Sequence, residues 1–103
     1  MGEVIRMTDQ RFEVLICLLK AERELSGADV IRETGLASGS VYPILYAFQR
    51  KGLVESRREE ETPQALKHPQ RSFYQLTALG EKVAHDENAR RKASVLAFES
   101  ARA

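Results

Sequence analysis

The stretch SGSVYPILYAFQRKGLV, Ser38 to Val54, constrains this chain most, because one apolar period gives way to another inside it. Val41, Ile44, Leu45 and Phe48 follow the i, i+3, i+4, i+7 spacing of a helix with one buried face. Gly52 is expected to end that helix, after Arg50 and Lys51 place positive charge in its last turn, where the helix dipole favours it. The opposite side presents Gly39, Pro43, Tyr46 and Arg50, flanked by Ser40, Tyr42, Ala47 and Gln49. Ser38 or Ser40 is the expected N-cap. With a start at Ser40, Pro43 falls in the first turn, where its missing N–H breaks no intrahelical bond.

Two further helices are expected upstream. The first runs from Thr8 or Asp9 to about Glu22, with Thr8 as cap and Asp9 in the first turn. Phe12, Leu15, Ile16 and Leu19 form one apolar stripe on it, and Val14, Cys17 and Leu18 form a second. A helix apolar on two sides in a chain of 103 residues needs two burial surfaces. One is its own core; the other is most simply a second subunit. The next helix starts at Ser26, with Asp29 as its capping-box partner. It turns Ala28, Val30 and Ile31 inward and closes at Gly35.

Downstream the pattern changes. Leu53–Glu59 and Arg71–Thr77 have strand composition, and EETPQALKHPQ between them, with Pro63 and Pro69, reads as a long mobile hairpin loop. Thr77 caps a last helix whose apolar residues Leu79, Val83, Leu96 and Phe98 are interrupted by the polar run HDENARRK. The predicted fold class is therefore α+β, mostly α. It is a winged helix-turn-helix of three helices and a two-stranded wing over residues 1–77, with a C-terminal helix over 78–103, all in one structural unit.

Several function classes are excluded on the residues. His68 and His85 have no second His or Cys at ligand spacing, so neither a metal site nor another cofactor is expected. His85, Asp86 and Glu87 are adjacent on a helix and do not face each other, which argues against acid–base catalysis. No glycine-rich phosphate loop is present, and no catalytic residue is assigned. The single cysteine, Cys17, sits in FEVLICLL and is expected as a buried, inert thiol of a reducing compartment. MGEVIRMTDQ has no signal-peptide pattern and no apolar run reaches spanning length, so a cytoplasmic protein with no membrane partner is expected.

Charge placement is more telling than the net charge of +1. Residues 50–71 hold six basic side chains (Arg50, Lys51, Arg57, Arg58, Lys67, Arg71) with His68, against four acidic ones, whereas residues 1–34 hold five basic and seven acidic. The near-neutral total hides a basic middle, the placement a phosphate-binding face needs. The outward face of the third helix suits a major groove. Small residues allow close approach, hydroxyls and free N–H groups can bind phosphate, and Gln49 and Arg50 can reach base edges. The same residues also fit a plainer arrangement, with Tyr42 and Tyr46 packed on neighbouring elements and Arg50 as solvated surface. They fit equally a winged-helix module that uses the Tyr42/Tyr46 face for protein contact without DNA.

SGSVYPILYAFQRKGLVE followed by RSFYQLTALG resembles the PadR family of bacterial transcriptional regulators. The resemblance is carried by Ser40, Val41, Tyr42 and Pro43, then Gly52, Leu53 and Val54, then Phe73, Tyr74, Leu76, Thr77 and Gly80. It implies a homodimer on a palindromic operator of double-stranded DNA, usually as a repressor. It also implies packing of the C-terminal helix on the partner's first helix and, with only one such helix, the short subfamily. Ser38, Ser40, Tyr42 and Pro43 would then position the third helix, with Tyr46, Gln49, Arg50 and Lys51 touching bases or backbone. Lys67, His68 and Arg71 would serve the wing. Phe12, Leu15, Leu18, Leu19, Val95, Leu96 and Phe98 would serve the core or the dimer. Some members of the family respond to phenolic or multidrug-like molecules near the dimer interface, so a small aromatic inducer is a further expected partner.

Overall fold

The computed structural model describes residues 5–102; residues 1–4 and 103, at the outer ends of the two expected spans, lie outside it. Helix α1 covers Asp9–Lys20, with the Thr8 hydroxyl oxygen accepting from the Arg11 N–H at 3.2 Å. The chain turns extended at Ala21, a residue before the expected end. Helix α2 covers Gly27–Thr34 and carries both halves of the capping box. The Ser26 N–H donates to the Asp29 carboxylate at 3.0 Å, and the Asp29 N–H donates to the Ser26 hydroxyl at 3.1 Å. Gly35 closes it, as expected.

The sheet has one strand more than the expected wing. Leu25–Ser26 forms β1, Val54–Arg58 forms β2 and Ser72–Leu76 forms β3, in the antiparallel order β1-β3-β2. Leu25 pairs with Tyr74 and Ser26 with Phe73. A two-residue strand is too short to show alternation, and the capping signal at Ser26 masks it because Ser26 serves both strand and cap. The hairpin loop also carries a helical turn that its composition did not suggest. Pro63–Leu66 makes one helical turn, α4, and the Gln70 side-chain amide donates to the Glu59 and Glu61 carbonyls at 3.1 and 2.9 Å.

Helix α3, Ser38–Arg50, differs from expectation at its start. Its N-cap is Ala37, and no side chain caps it; the Ser40 and Val41 N–H groups donate to the Ala37 carbonyl at 2.9 and 3.0 Å. Pro43 is therefore inside the helix, beyond the first turn, and the Gly39 carbonyl loses its i+4 donor. That loss falls on an exposed residue, where water can take the carbonyl. The C-terminal end is a Schellman turn. The Leu53 N–H reaches the Phe48 carbonyl at 2.9 Å and the Gly52 N–H reaches Gln49 at 3.1 Å, with Gly52 at φ 76.

The core gathers Val14, Leu15 and Leu18 from α1, Leu25, Val30, the whole α3 stripe of Val41, Ile44, Leu45 and Phe48, then Leu53, Val54 and Ala84. This corrects the reading of α1. Leu15 and Leu18, expected to serve the dimer if not the core, are 0% and 6% exposed and belong to the protomer's own interior. Phe12, Ile16, Cys17 and Leu19 form the half-buried margin, so Cys17 is not fully buried either.

Helix α5, Ala78–Arg102, is continuous through the polar run. Its inner stripe is Gly80, Val83, Ala84, Glu87, Asn88 and Arg91, and every described residue after Arg91 is exposed. Arg91 explains the polarity: it bonds Glu87 at 2.8 Å and Asp9 of α1 at 2.9 Å, and stacks over Phe12 at 4.3 Å. The radius of gyration is 15.9 Å, against about 13 Å for a compact domain of this length. The end of α5 stands away from the body.

Candidate nucleic-acid interface

Burial of the α3 stripe fixes what the helix offers outward. Tyr42 and Tyr46 are 48% and 63% exposed, and Pro43, Gln49 and Arg50 are exposed beside them. Ser38 and Gly39 lie at the uncapped N-terminus, exposed, with Ser40 half-buried behind them. An uncapped first turn leaves amide N–H groups without intrahelical acceptors, at the positive end of the helix dipole. The guanidinium of Arg50 lies 5.9 Å from the centre of the Tyr46 ring. Lys51 follows as the exposed C-cap.

Two of these side chains are tied to neighbouring elements. The Gln49 amide donates to the Ser56 hydroxyl of β2 at 3.0 Å, which joins α3 to the base of the wing. The Tyr42 ring lies over Gly27 at the start of α2, where a Cβ would come 2.7 Å from the phenol oxygen. Gly27 thus makes the seat for this ring. Neither Ser56 nor Gly27 stood out in the sequence. Strand alternation counted from the buried Val54 would have found Ser56, but only tertiary packing reveals Gly27.

The wing residues separate by role. Lys67, at φ 62, and Arg71 have exposed side chains. His68 is half-buried, with Nδ1 2.7 Å from the Pro69 carbonyl and 3.9 Å from the Glu59 carboxylate, so its ring is engaged within the loop. The Arg71 N–H donates to the Glu59 carboxylate at 2.9 Å, pinning the loop to the strand end. Arg57 leaves the basic count. Its Nε is 2.9 Å from each Glu24 carboxylate oxygen, and its guanidinium stacks on Phe73 at 4.9 Å.

A second surface shares no lining residue with this one. An open cleft of about 760 Å³ lies between α1, β1 and α2, with Phe12, Ile16, Cys17 and Leu25 as apolar wall and Glu13 and Glu33 on its rim. Burial pushes the Cys17 thiol up, with help from the Glu33 and Asp29 carboxylates, which disfavours its thiolate. Val95, Leu96 and Phe98 are exposed on the projecting end of α5. Among the described residues no group of three or more His, Cys, Asp or Glu could hold a metal ion, and no helix is long and apolar enough to cross a membrane.

The sequence profile of the PadR-like family of transcriptional regulators matches residues 16–86. The chain belongs to that family. The parts of the PadR signature quoted above meet in space. The Thr77 hydroxyl donates to the Gly52 carbonyl at 2.6 Å and the Thr77 N–H to the Leu53 carbonyl at 3.0 Å, while Thr77 Oγ1 caps α5 by accepting from the Gly80 N–H at 3.0 Å. A Cβ at Gly80 would overlap the Leu53 carbonyl oxygen, so only glycine lets α5 approach the α3–β2 turn.

Curated proteins give no match. Among solved structures, the fold is similar to the PcaV transcriptional regulator of Streptomyces coelicolor, solved with its natural ligand, at TM-score 0.75 and 23% identity over 91% of this chain. It is also similar to a mutant of Staphylococcus aureus MepR, at 0.74 and 17% over 91%. A third is Bordetella bronchiseptica BpsR, whose DNA binding is regulated by 6-hydroxynicotinic acid, at 0.70 and 16% over 88%. This chain spans 62%, 65% and 64% of those three chains. At such identities the likeness shows a shared winged-helix fold.

Proposed function

We propose that this PadR-like chain acts in the cytoplasm as a homodimer that represses transcription from an inverted-repeat operator. The observation that carries the reading is α3 itself. Its stripe of Val41, Ile44, Leu45 and Phe48 is fully used by the core, leaving Tyr42, Tyr46, Gln49 and Arg50 along an outward edge beside an uncapped helix start. In the major groove, Ser38, Ser40, Tyr42 and Pro43 set the helix on phosphates, and Tyr46, Gln49, Arg50 and Lys51 meet base edges or backbone. Lys67 and Arg71 contact the backbone from the wing, and His68 shapes the loop that carries them.

The dimer forms through the projecting end of α5, with Val95, Leu96 and Phe98 laid against the half-buried Phe12, Ile16 and Leu19 of the partner's α1. A 25-residue helix that packs on the body as far as Arg91 and is exposed beyond it supplies the reach. The cleft beside α1, at about 760 Å³, is of a size for a small aromatic inducer, which would act by shifting the angle between the two reading helices. Selection of bound sequences from a random duplex library tests the reading. It should return an inverted repeat whose half-sites are spaced about one helical turn, or a multiple of it, apart. Unrelated sequences, or a single half-site bound by a monomer, would contradict it.

A further inference from the structure

Strand β2 carries two adjacent arginines, and its alternation sends them to opposite faces of the sheet. Val54 is buried in the core and Ser56 accepts from the α3 amide of Gln49, so Arg58, two residues further, stands on the α3 side. Arg57 stands on the other side, neutralised by Glu24 and flattened on Phe73. On β3, Tyr74 is paired with Ser56 and Ser72 with Arg58, which places both on the α3 side as well. Tyr42 reaches the same region from α3, its ring seated over Gly27. Tyr74 senses this company. Burial pushes its phenol up and Tyr42 adds to that, while a bond to Ser72 and the charge of Arg58 oppose it. Arg58 is exposed and has no ion pair among the described residues.

Two phenol hydroxyls and an unpaired guanidinium on one rim make a donor set suited to a phosphodiester oxygen. We propose that Arg58, with the hydroxyls of Tyr42 and Tyr74, holds a DNA backbone phosphate at the base of the wing. The inference rests on the reading of α3 as the groove helix. It adds a contact on the sheet face to those of the loop residues Lys67 and Arg71. It also divides the arginine pair: Arg58 binds DNA, and Arg57 holds β2 to the segment before β1. Gly27 is then a positioning residue, since any side chain there displaces the Tyr42 hydroxyl.

Affinity for a selected duplex, followed by fluorescence anisotropy across a salt series, tests this on the full chain. Arg58→Ala should weaken binding about tenfold at 0.1 M salt and lower the salt slope by about one. Arg58→Lys should keep the slope, Tyr74→Phe should weaken binding severalfold without changing it, and Arg57→Ala should leave the slope at the wild-type value. If wild type binds and Arg58→Ala has an unchanged slope, the phosphate contact is wrong while the groove helix stands. An equal loss of slope in Arg57→Ala also overturns the division between the two arginines. If wild type binds no duplex at low salt, the groove reading itself fails.

Discussion

Pro43 sits six residues into α3, where a proline removes one hydrogen bond and crowds the carbonyl four residues earlier. Nothing in the core requires it, because the ring is exposed and the stripe around it is complete. Pro43→Ala should therefore stabilise the fold by about 1–3 kcal/mol in urea denaturation, while weakening duplex binding; a loss of stability would show that the ring packs. The sequence placed this residue on the outward face correctly but in the wrong turn. Two serines looked like caps, and the helix begins before both, at an alanine that no side-chain rule marks. Asp29 was legible in full, since its capping box is local. The backbone N–H of Ser26, followed by Arg32 and the Ser26 hydroxyl, outweighs partial burial and lowers its carboxyl to about 2. An ordinary unfolded aspartate titrates near about 3.9. The stabilisation is thus present above about pH 4 and is lost as pH falls through about 2. In urea titrations between about pH 5 and pH 2.5, wild type should lose about 1–2 kcal/mol more than Asp29→Asn. Equal slopes would remove the carboxylate from the account.

At the scale of elements, the strand missed by sequence reading and the helical turn in the wing share a cause. Each is too short to show a period, and each is fixed by partners far along the chain: β1 by Tyr74 and Phe73, the wing loop by Gln70 and Glu59. The polar centre of α5 was illegible for another reason. Its inner stripe is completed by an arginine whose partners, Asp9 and Phe12, lie on α1. Arg91→Ala should lower the thermal midpoint by several degrees, about 1–2 kcal/mol, as the cation–π contact and the stem's cover of Phe12 are lost. An unchanged midpoint would mean that the packing of Gly80 and Ala84 against the body docks the helix without it. The exposed end of α5 makes a separate prediction. Leu96→Glu leaves the protomer core untouched, so circular dichroism should be retained while sedimentation at micromolar concentration shifts from dimer to monomer. A dimer that survives the charge would place the interface elsewhere.

Over the whole molecule, a net charge of +1 conceals a separation of sign. The basic middle expected from the sequence survives folding in reduced form, because Arg57 is engaged by Glu24 and His68 by its own loop. Arg50, Arg58, Lys67 and Arg71 remain exposed on α3 and the wing hairpin. Order and type of the main helices, the core stripe of α3 and the hairpin were readable because each depends on local spacing. The side chains that aim the outward face were not, because Gly27, Ser56 and Tyr74 act through contacts between elements. The central claim is that α3 reads DNA, and the salt dependence of duplex binding tests it most directly. Wild type should lose affinity steeply between about 50 and 200 mM salt, and Arg50→Ala should bind about 1–3 kcal/mol more weakly with a slope lower by about one. A salt-independent affinity, or no duplex binding at low salt, would contradict it.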